Sequence, residues 1–208
     1  MLIDFNILKS KYGIDTRGII HVGMHKAEEY PIYKKAGVDN IVFIEANERL
    51  AHEFAPDDCV VVHAAVSDKV EEVEFNITNN GESSSILELG DHATIYPHIV
   101  NIETIKMKTT TLDTVLKKVR IFTKWDDMNM SLNILNLDIQ GAELKALKGF
   151  SAWESIDAVF TEVNYREMYI GCGLEPEVTS FLEYKGFKKV EEVDTGCGWG
   201  DALYVKRK

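Results

Sequence analysis

The chain has 208 residues, of which 45% are hydrophobic and 27% are charged, with a formal net charge of −11. This composition is typical of a soluble globular protein, and no stretch approaches the roughly 20 consecutive apolar residues that cross a bilayer. The basic residues are dispersed and outnumbered by acids, which disfavours nucleic acid and membranes as partners. Because the sequence opens without a secretory signal, we expect a cytoplasmic protein.

The first third of the sequence alternates between apolar runs and amphipathic segments. Residues 4–12 predict a leading helix, and strands are predicted at 18–22, 41–46 and 59–66. Helices are predicted between them at 28–36 and 48–54. Repeated strand–helix alternation is typical of a parallel sheet with right-handed crossovers.

Residues 67–110 have a different pattern. Polar and apolar residues alternate over 70–77 and again over 102–108, which predicts two half-exposed strands separated by a turn-rich segment. We therefore expect a β-rich insertion between the third and fourth strands of the sheet. Thr111 is the expected N-cap of the helix that follows.

The strand–helix pattern then resumes. Strands are predicted at 133–138 and 158–163, and helices at 142–149 and 175–185. The chain finishes with strands at 187–193 and 202–206, joined by a glycine-rich turn, which predicts a terminal hairpin on the parallel sheet. Because the sequence shows no interdomain linker, we expect one α/β domain over residues 1–208.

Polar residues at the ends of the first, second and fourth predicted strands are the candidates for a ligand site. Asp138 ends the fourth strand, and Glu45 ends the second, about twenty residues beyond Gly23, where an acid can bind both hydroxyls of a ribose. Glu45 could instead simply begin the next helix. The first turn has a single glycine, which poorly supports a dinucleotide fingerprint. S-adenosylmethionine has a ribose and no pyrophosphate, so it is the leading candidate.

These segments resemble the FkbM family of S-adenosylmethionine-dependent methyltransferases. The matching residues are Val22-Gly23 with His25, Phe43-Ile44-Glu45-Ala46-Asn47, Ser83-Ser84-Ser85, Thr110-Thr111-Leu112-Asp113 and Leu137-Asp138-Ile139-Gln140-Gly141-Ala142-Glu143. The resemblance implies a Rossmann-like, seven-stranded class I methyltransferase sheet with a reversed C-terminal strand. It also implies O-methylation of a hydroxyl on a saccharide or small-molecule acceptor.

The same resemblance implies where the cofactor binds. Ala65 and Val66 would flank the adenine, and the serines at 83–85 would fold over the cofactor or the substrate, with a simple flexible loop as the alternative. The family usually has an acid at the position of His21, a small residue at Met24 and a glycine near Ala27, so these three positions are departures. Without the usual acid, Asp138 is left to bind the cofactor's ammonium. The expected cofactor-binding residues are His21, Gly23, Met24, Glu45, Ala46, Ala65, Val66, Ser84 and Asp138.

Methyl transfer to a hydroxyl also needs a base within hydrogen-bond reach. The candidates are Asp138, Glu162 and His25, although Asp138 could instead cap the next helix and His25 could be a solvated loop residue. Asp138, Glu162 and Asn164 also present oxygen atoms at neighbouring strand ends, a set that could hold magnesium.

Aromatic residues are candidates for the acceptor pocket, with burial in the core as the alternative. They are Tyr96, Tyr165, Tyr169 and Trp199. Two other functions stay open on the sequence alone: a cofactor-binding module without transferase activity, and a nicotinamide-dependent oxidoreductase. The oligomeric state is not indicated.

Overall fold

A seven-stranded sheet organises the fold in this computed structural model, which describes residues 1–123 and 132–207. Its strands are β1 (Gly18–Val22), β2 (Asn40–Glu45), β3 (Val60–His63), β7 (Ile134–Leu137), β8 (Ala158–Asn164), β9 (Phe187–Asp194) and β10 (Trp199–Lys206). A three-stranded sheet contains β4 (Ala65–Val66), β5 (Glu72–Thr78) and β6 (Asn101–Thr110). The expected insertion is thus confirmed as a small sheet between β3 and β7.

The strand order of the main sheet is β3-β2-β1-β7-β8-β10-β9. The first five strands in this order are parallel, whereas β10 runs antiparallel to both β8 and β9. The order reverses between β1 and β7, and such a switch point opens a ligand-binding crevice at the carboxyl ends of the strands. The predicted fold class, with its reversed C-terminal strand, is confirmed.

Helices connect the strands. They are α1 (Ile7–Tyr12), α2 (Tyr30–Lys35), α3 (Glu48–Glu53), α4 (Asp91–Ile95), α5 (Leu112–Thr123), α6 (Glu143–Lys148) and α7 (Glu175–Tyr184). Thr111 caps α5 as predicted, since its Oγ1 accepts from the backbone N–H of Thr114 at 3.2 Å. The short helix α4 was not predicted, because only five residues of the insertion form it.

Two apolar clusters cover the faces of the main sheet. One contains Ile20, Leu135 and Val159 of the sheet with Leu147 of α6. The other contains Ile19 and Ile134 of the sheet, together with other buried residues that include Tyr33 of α2. Because every residue of β1, β7 and β8 is buried, these central strands give the crevice a rigid base.

The predicted third strand over 59–66 is wrong as a single element. Its first part pairs with β2 and ends at His63, while Ala65 and Val66 pair in parallel with Thr109 and Thr110 of the insertion. The continuous apolar run predicted a strand covered on both faces, but Val60–His63 is only partly buried, and the run carried no information about the change of partner. The switch brings the insertion beside the carboxyl end of β2.

Candidate functional site

Two adjoining cavities lie at the carboxyl ends of β1, β2, β7 and β8. The smaller holds about 50 Å³ and the larger about 440 Å³. Four residues line both cavities: His25, Glu82, Asp138 and Gln140. The strand ends therefore converge as predicted, and they form one crevice with two arms.

Glu45 forms the polar end of the smaller cavity. Its two carboxylate oxygens accept hydrogen bonds from the backbone N–H groups of His25 and Asn47, each at 2.8 Å. Burial raises the pKa of Glu45, although these two hydrogen bonds oppose the shift. The helix-start alternative is wrong, because Asn47 is the N-cap of α3 and accepts from the N–H groups of Arg49 and Leu50.

The walls of the smaller cavity are mainly apolar. Ala46, Ala65, Val66 and Ser84, all expected near a cofactor, line it. Residues that the sequence did not single out, Leu50, Phe75, Ile86 and Ile139, line it too. They come from separate elements, so no local pattern marked them as neighbours.

Gly23 brings the first turn against the end of β7. A Cβ atom on Gly23 would lie 1.8 Å from the carbonyl oxygen of Asp138, and the backbone φ of Gly23 is +90°. Two backbone bonds fix this approach: Gly23 N donates to Ile44 O at 2.9 Å and Asp138 N donates to Val22 O at 3.0 Å. Only glycine fits here.

His25 follows in a strained turn. It has φ +48° and Ala27 has φ +57°, a region that residues with side chains rarely adopt. The Nδ1 atom of His25 lies 2.9 Å from the Glu28 carboxylate, while its Nε2 is buried without a hydrogen-bond partner. A carboxylate only accepts, so Nδ1 is the donor in this pair, and in the neutral imidazole Nε2 has a free lone pair.

His21 and Met24 do not line either cavity, which corrects the expectation that their side chains contact the cofactor. Met24 is fully buried in the apolar cluster beneath β1. His21 is buried against Tyr33 and Asn136: the Tyr33 hydroxyl lies 3.0 Å from His21 Nδ1 and accepts from Asn136 Nδ2 at 2.9 Å. Burial lowers the pKa of His21, so the imidazole is neutral.

Gln140 connects the two acids at the centre of the crevice. Its Nε2 donates to Asp138 Oδ1 at 2.8 Å and to Glu162 Oε2 at 3.0 Å, and its Oε1 accepts from the Tyr169 hydroxyl. Burial, followed by repulsion from Asp138, holds the pKa of Glu162 well above its usual value. Gln140 itself has φ +57°. The sequence did not indicate this role.

Asp138 is not a helix cap. The helix α6 begins at Glu143, with Ala142 at the N-cap position and no side-chain hydrogen bond there. Glu143 instead secures the turn, because its Oε1 accepts from the N–H groups of Ile139 at 2.9 Å and Gly141 at 3.1 Å. Burial raises the pKa of Glu143 to about 7. Asp138 is left free to face the crevice.

The structure does not support the magnesium set of Asp138, Glu162 and Asn164. The amide nitrogen of Gln140 lies between the two carboxylates, at the position where a cation would have to bind both. Within the part of the chain that the structure describes, the clustered metal-type ligands are instead His25, Glu28 and Glu82, of which the two acids are exposed.

Glu162, Asn164 and three of the four candidate aromatics line the larger cavity. The aromatics are Tyr96, Tyr169 and Trp199, and Trp199 Nε1 donates to the Tyr96 hydroxyl at 3.1 Å. Tyr165 is not among the lining residues, and its hydroxyl donates to Glu192 at 2.8 Å. His92, which the sequence did not indicate, also lines this cavity. The larger arm therefore combines acids, aromatics and amides.

The family model for the methyltransferase FkbM domain matches residues 21–189, more than three quarters of the chain. The chain belongs to the FkbM methyltransferase family. The matched region includes the first turn, Glu45, the insertion and the Asp138 turn. The family resemblance read from the sequence is confirmed.

Solved methyltransferase structures were also compared with this FkbM chain. The magnesium protoporphyrin IX methyltransferase of Synechocystis with bound SAH is 7% identical, with a TM-score of 0.49, over 96% of this chain and 78% of that one. A TehB-like SAM-dependent methyltransferase of Corynebacterium glutamicum is 8% identical, with a TM-score of 0.47, over 100% and 89%. We draw no functional conclusion from similarities of this size.

A third structure, the 1,6-didemethyltoxoflavin-N1-methyltransferase of Burkholderia thailandensis, is 11% identical, with a TM-score of 0.46, over 97% and 76%. Comparison with curated proteins found none that matches. Within residues 1–123 and 132–207, no helix has the length and apolarity of a membrane span.

Proposed function

We propose that this FkbM-family protein transfers a methyl group from S-adenosylmethionine to a hydroxyl of a saccharide or small-molecule acceptor. The observation that carries the proposal is the position of Glu45. Its carboxylate is held by two backbone N–H groups at the polar end of a narrow, apolar cavity, and that cavity opens past Asp138 into a larger one. A nucleoside and an acceptor would bind in the two arms.

The residues of the smaller cavity fit the nucleoside part of this cofactor. Glu45 accepts hydrogen bonds from a ribose diol, since each carboxylate oxygen has a lone pair left after binding one N–H. Ala65 and Val66 offer apolar contact to an adenine ring. Asp138 borders both cavities and is the carboxylate available for the cofactor's ammonium. When bound, the cofactor supplies a methyl group already activated by its sulfonium.

The protein then has to align the acceptor hydroxyl and remove its proton. His25 suits the second task, because it borders both arms and Glu28 fixes the tautomer that leaves Nε2 as the acceptor of a proton. Glu162 is less well placed for this task, because it does not border the smaller arm and its Oε2 already accepts from Gln140. We therefore assign proton acceptance to His25.

Calorimetric titration with S-adenosylmethionine tests the cofactor assignment. We expect saturable binding that Glu45→Gln weakens, because the variant loses charge-assisted hydrogen bonds worth about 1.5 to 3 kcal/mol, roughly ten- to a hundredfold in affinity. Glu48→Gln, at an exposed acid in the first turn of α3, is the matched control and should bind like the unmodified protein. Equal affinities in all three proteins would contradict the assignment of Glu45.

Transfer itself needs a second measurement. Labelled S-adenosylmethionine is incubated with a panel of saccharides and small hydroxylated compounds, and labelled methyl esters, ethers and amines are separated. An ether product is the expected result. Tight cofactor binding without transfer to any member of a broad panel would favour the cofactor-binding module over the enzyme.

A further inference from the structure

The larger cavity is strongly acidic. Its carboxyl groups belong to Glu28, Glu29, Glu82, Asp138, Glu162 and Asp201. Among its described lining residues there is no lysine or arginine. An enclosed site of one sign attracts ligands of the opposite charge and repels those of the same charge. Phosphorylated or carboxylated acceptors are therefore disfavoured.

Part of this charge is matched inside the protein. The amino terminus of Met1 lies 3.1 Å from Glu29, and the backbone N–H of Leu2 donates to Asp201. Glu162 differs, because the hydrogen bond that reaches its carboxyl comes from the neutral amide of Gln140. Of the two cavities, Glu162 lines only the larger, whereas Asp138 lines both. The two acids can thus serve different ligands.

Asn164 gives an independent sign of a ligand. It is fully buried and lines the larger cavity, yet neither its Nδ2 nor its Oδ1 has a hydrogen-bond partner. Asn164 lies two residues after Glu162 on β8, so both side chains are on the same face of the sheet. An unpaired buried amide destabilises a fold, and a polar ligand in the cavity would satisfy it.

Part of the lining of the larger cavity is aromatic. The ring centroid of His92 lies 4.9 Å from that of Tyr96 and 5.5 Å from that of Tyr169, and Trp199 donates to the Tyr96 hydroxyl. The Nδ1 of His92 is a further buried polar atom without a partner. Aromatic faces bind cations and the apolar faces of sugar rings.

We propose that the acceptor carries an ammonium group that binds Glu162, while a neighbouring hydroxyl or amide of the acceptor pairs with Asn164. An amino sugar has this combination of groups. The inference rests on the proposed function in that it assigns the larger cavity to the acceptor. It narrows the acceptor class from any hydroxylated compound to one that is cationic.

D-glucose and two sugars that each differ from it in one substituent, D-glucosamine and D-glucuronate, test the proposal. Their binding to the protein is followed by saturation-transfer NMR at neutral pH, with and without S-adenosylhomocysteine. We expect D-glucosamine to bind about tenfold more tightly than D-glucose, because the hydrogen bond to Glu162 becomes charge-assisted. D-glucuronate should bind most weakly.

Variants of Glu162 and Asn164 then show which side chain causes the preference for D-glucosamine over D-glucose. Glu162→Gln should reduce the difference between D-glucosamine and D-glucose to within about twofold, since the glutamine has a similar shape but no charge. Asn164→Ala should weaken both sugars by a similar factor. Glu103→Gln, at an exposed acid of β6, should leave the series unchanged.

The series on the unmodified protein is decisive even where a variant fails to fold. Equal affinities for D-glucosamine and D-glucose, tighter binding of D-glucuronate, or no D-glucosamine binding at tens of millimolar would each overturn the proposal. Failure to bind S-adenosylmethionine would contradict the proposed function but not the sugar preference, because the sugar preference is also measured without cofactor.

Discussion

The backbone of Gly23 lies so close to Asp138 that a Cβ on the glycine would be 1.8 Å from the Asp138 carbonyl oxygen. Gly23→Ala should therefore force the first turn away from the end of β7. We expect a loss of about 2 kcal/mol or more in the free energy of unfolding, measured by urea titration, together with weaker cofactor binding.

Gly37→Ala separates the two causes of that loss. Gly37 also has a positive φ, +81°, but a Cβ there would meet nothing within 4 Å. Gly37→Ala should lower the free energy of unfolding by about 1 kcal/mol, which is the conformational part of the loss alone. Equal losses in the two variants would mean that the close approach to Asp138 is unimportant.

Tyr33→Phe should destabilise the protein without touching the crevice. The variant removes the hydroxyl that lies against His21 Nδ1 and accepts from Asn136, whose Nδ2 then keeps only a contact at 3.5 Å to His21 Nε2, at a cost of about 1 to 3 kcal/mol. Tyr30→Phe is the control, because the Tyr30 hydroxyl binds Asp58 at the protein surface; it should change the free energy of unfolding by less than about 0.5 kcal/mol.

Glu143→Gln should change how stability depends on pH. The folded-state pKa of Glu143, about 7, is above its ordinary value of 4.5, so the folded protein holds a proton that the unfolded chain releases. Stability from this group is therefore present at low pH and is lost as pH rises from 4.5 through 7. A glutamine can accept the same two backbone hydrogen bonds and does not ionise.

The variant should consequently gain stability relative to the unmodified protein between about pH 5 and about pH 8. Denaturant midpoints at both pH values measure this. Glu72→Gln, at an exposed acid of β5, should show no such gain. A constant difference between Glu143→Gln and the unmodified protein at both pH values would contradict the assigned pKa.

His25→Asn should separate cofactor binding from methyl transfer. Asparagine tolerates the positive φ of this position, and its backbone N–H still binds Glu45, so cofactor affinity should stay within a few-fold. Transfer to an acceptor found in the panel should fall by about a hundredfold or more, since the proton acceptor is lost. His52→Asn, on exposed α3, is the control. Undiminished transfer would move the role to Asp138.

The parts of the site that the sequence predicted are those that follow from strand ends. Glu45 and Asp138 end apolar runs, and parallel strands bring such ends to one edge. Gln140 could not be assigned in this way, because its amide reaches Glu162 twenty-two residues away through a backbone with positive φ. Periodicity does not predict such a conformation for a glutamine.

The sequence also did not predict which polar residues are buried inside the core. His21 lies one residue before the end of β1, but Tyr33 from α2 and Asn136 from β7 satisfy it inside the core. Nothing local in the sequence shows that a hydrogen-bond partner for His21 lies more than a hundred residues further along the chain. Asn164 is the reverse case, since it lies at a predicted strand end and yet has no partner in the protein.

The amide of Gln140 has a thermodynamic consequence for the two arms of the crevice. A ligand that draws Asp138 away from this amide leaves Gln140 free to bind Glu162 more fully, and a ligand on Glu162 has the converse effect. Occupancy of one arm thereby changes the affinity of the other, and such heterotropic coupling is reciprocal. We expect the factor by which a ligand in one arm changes the affinity of the other arm to be the same whichever ligand is added first.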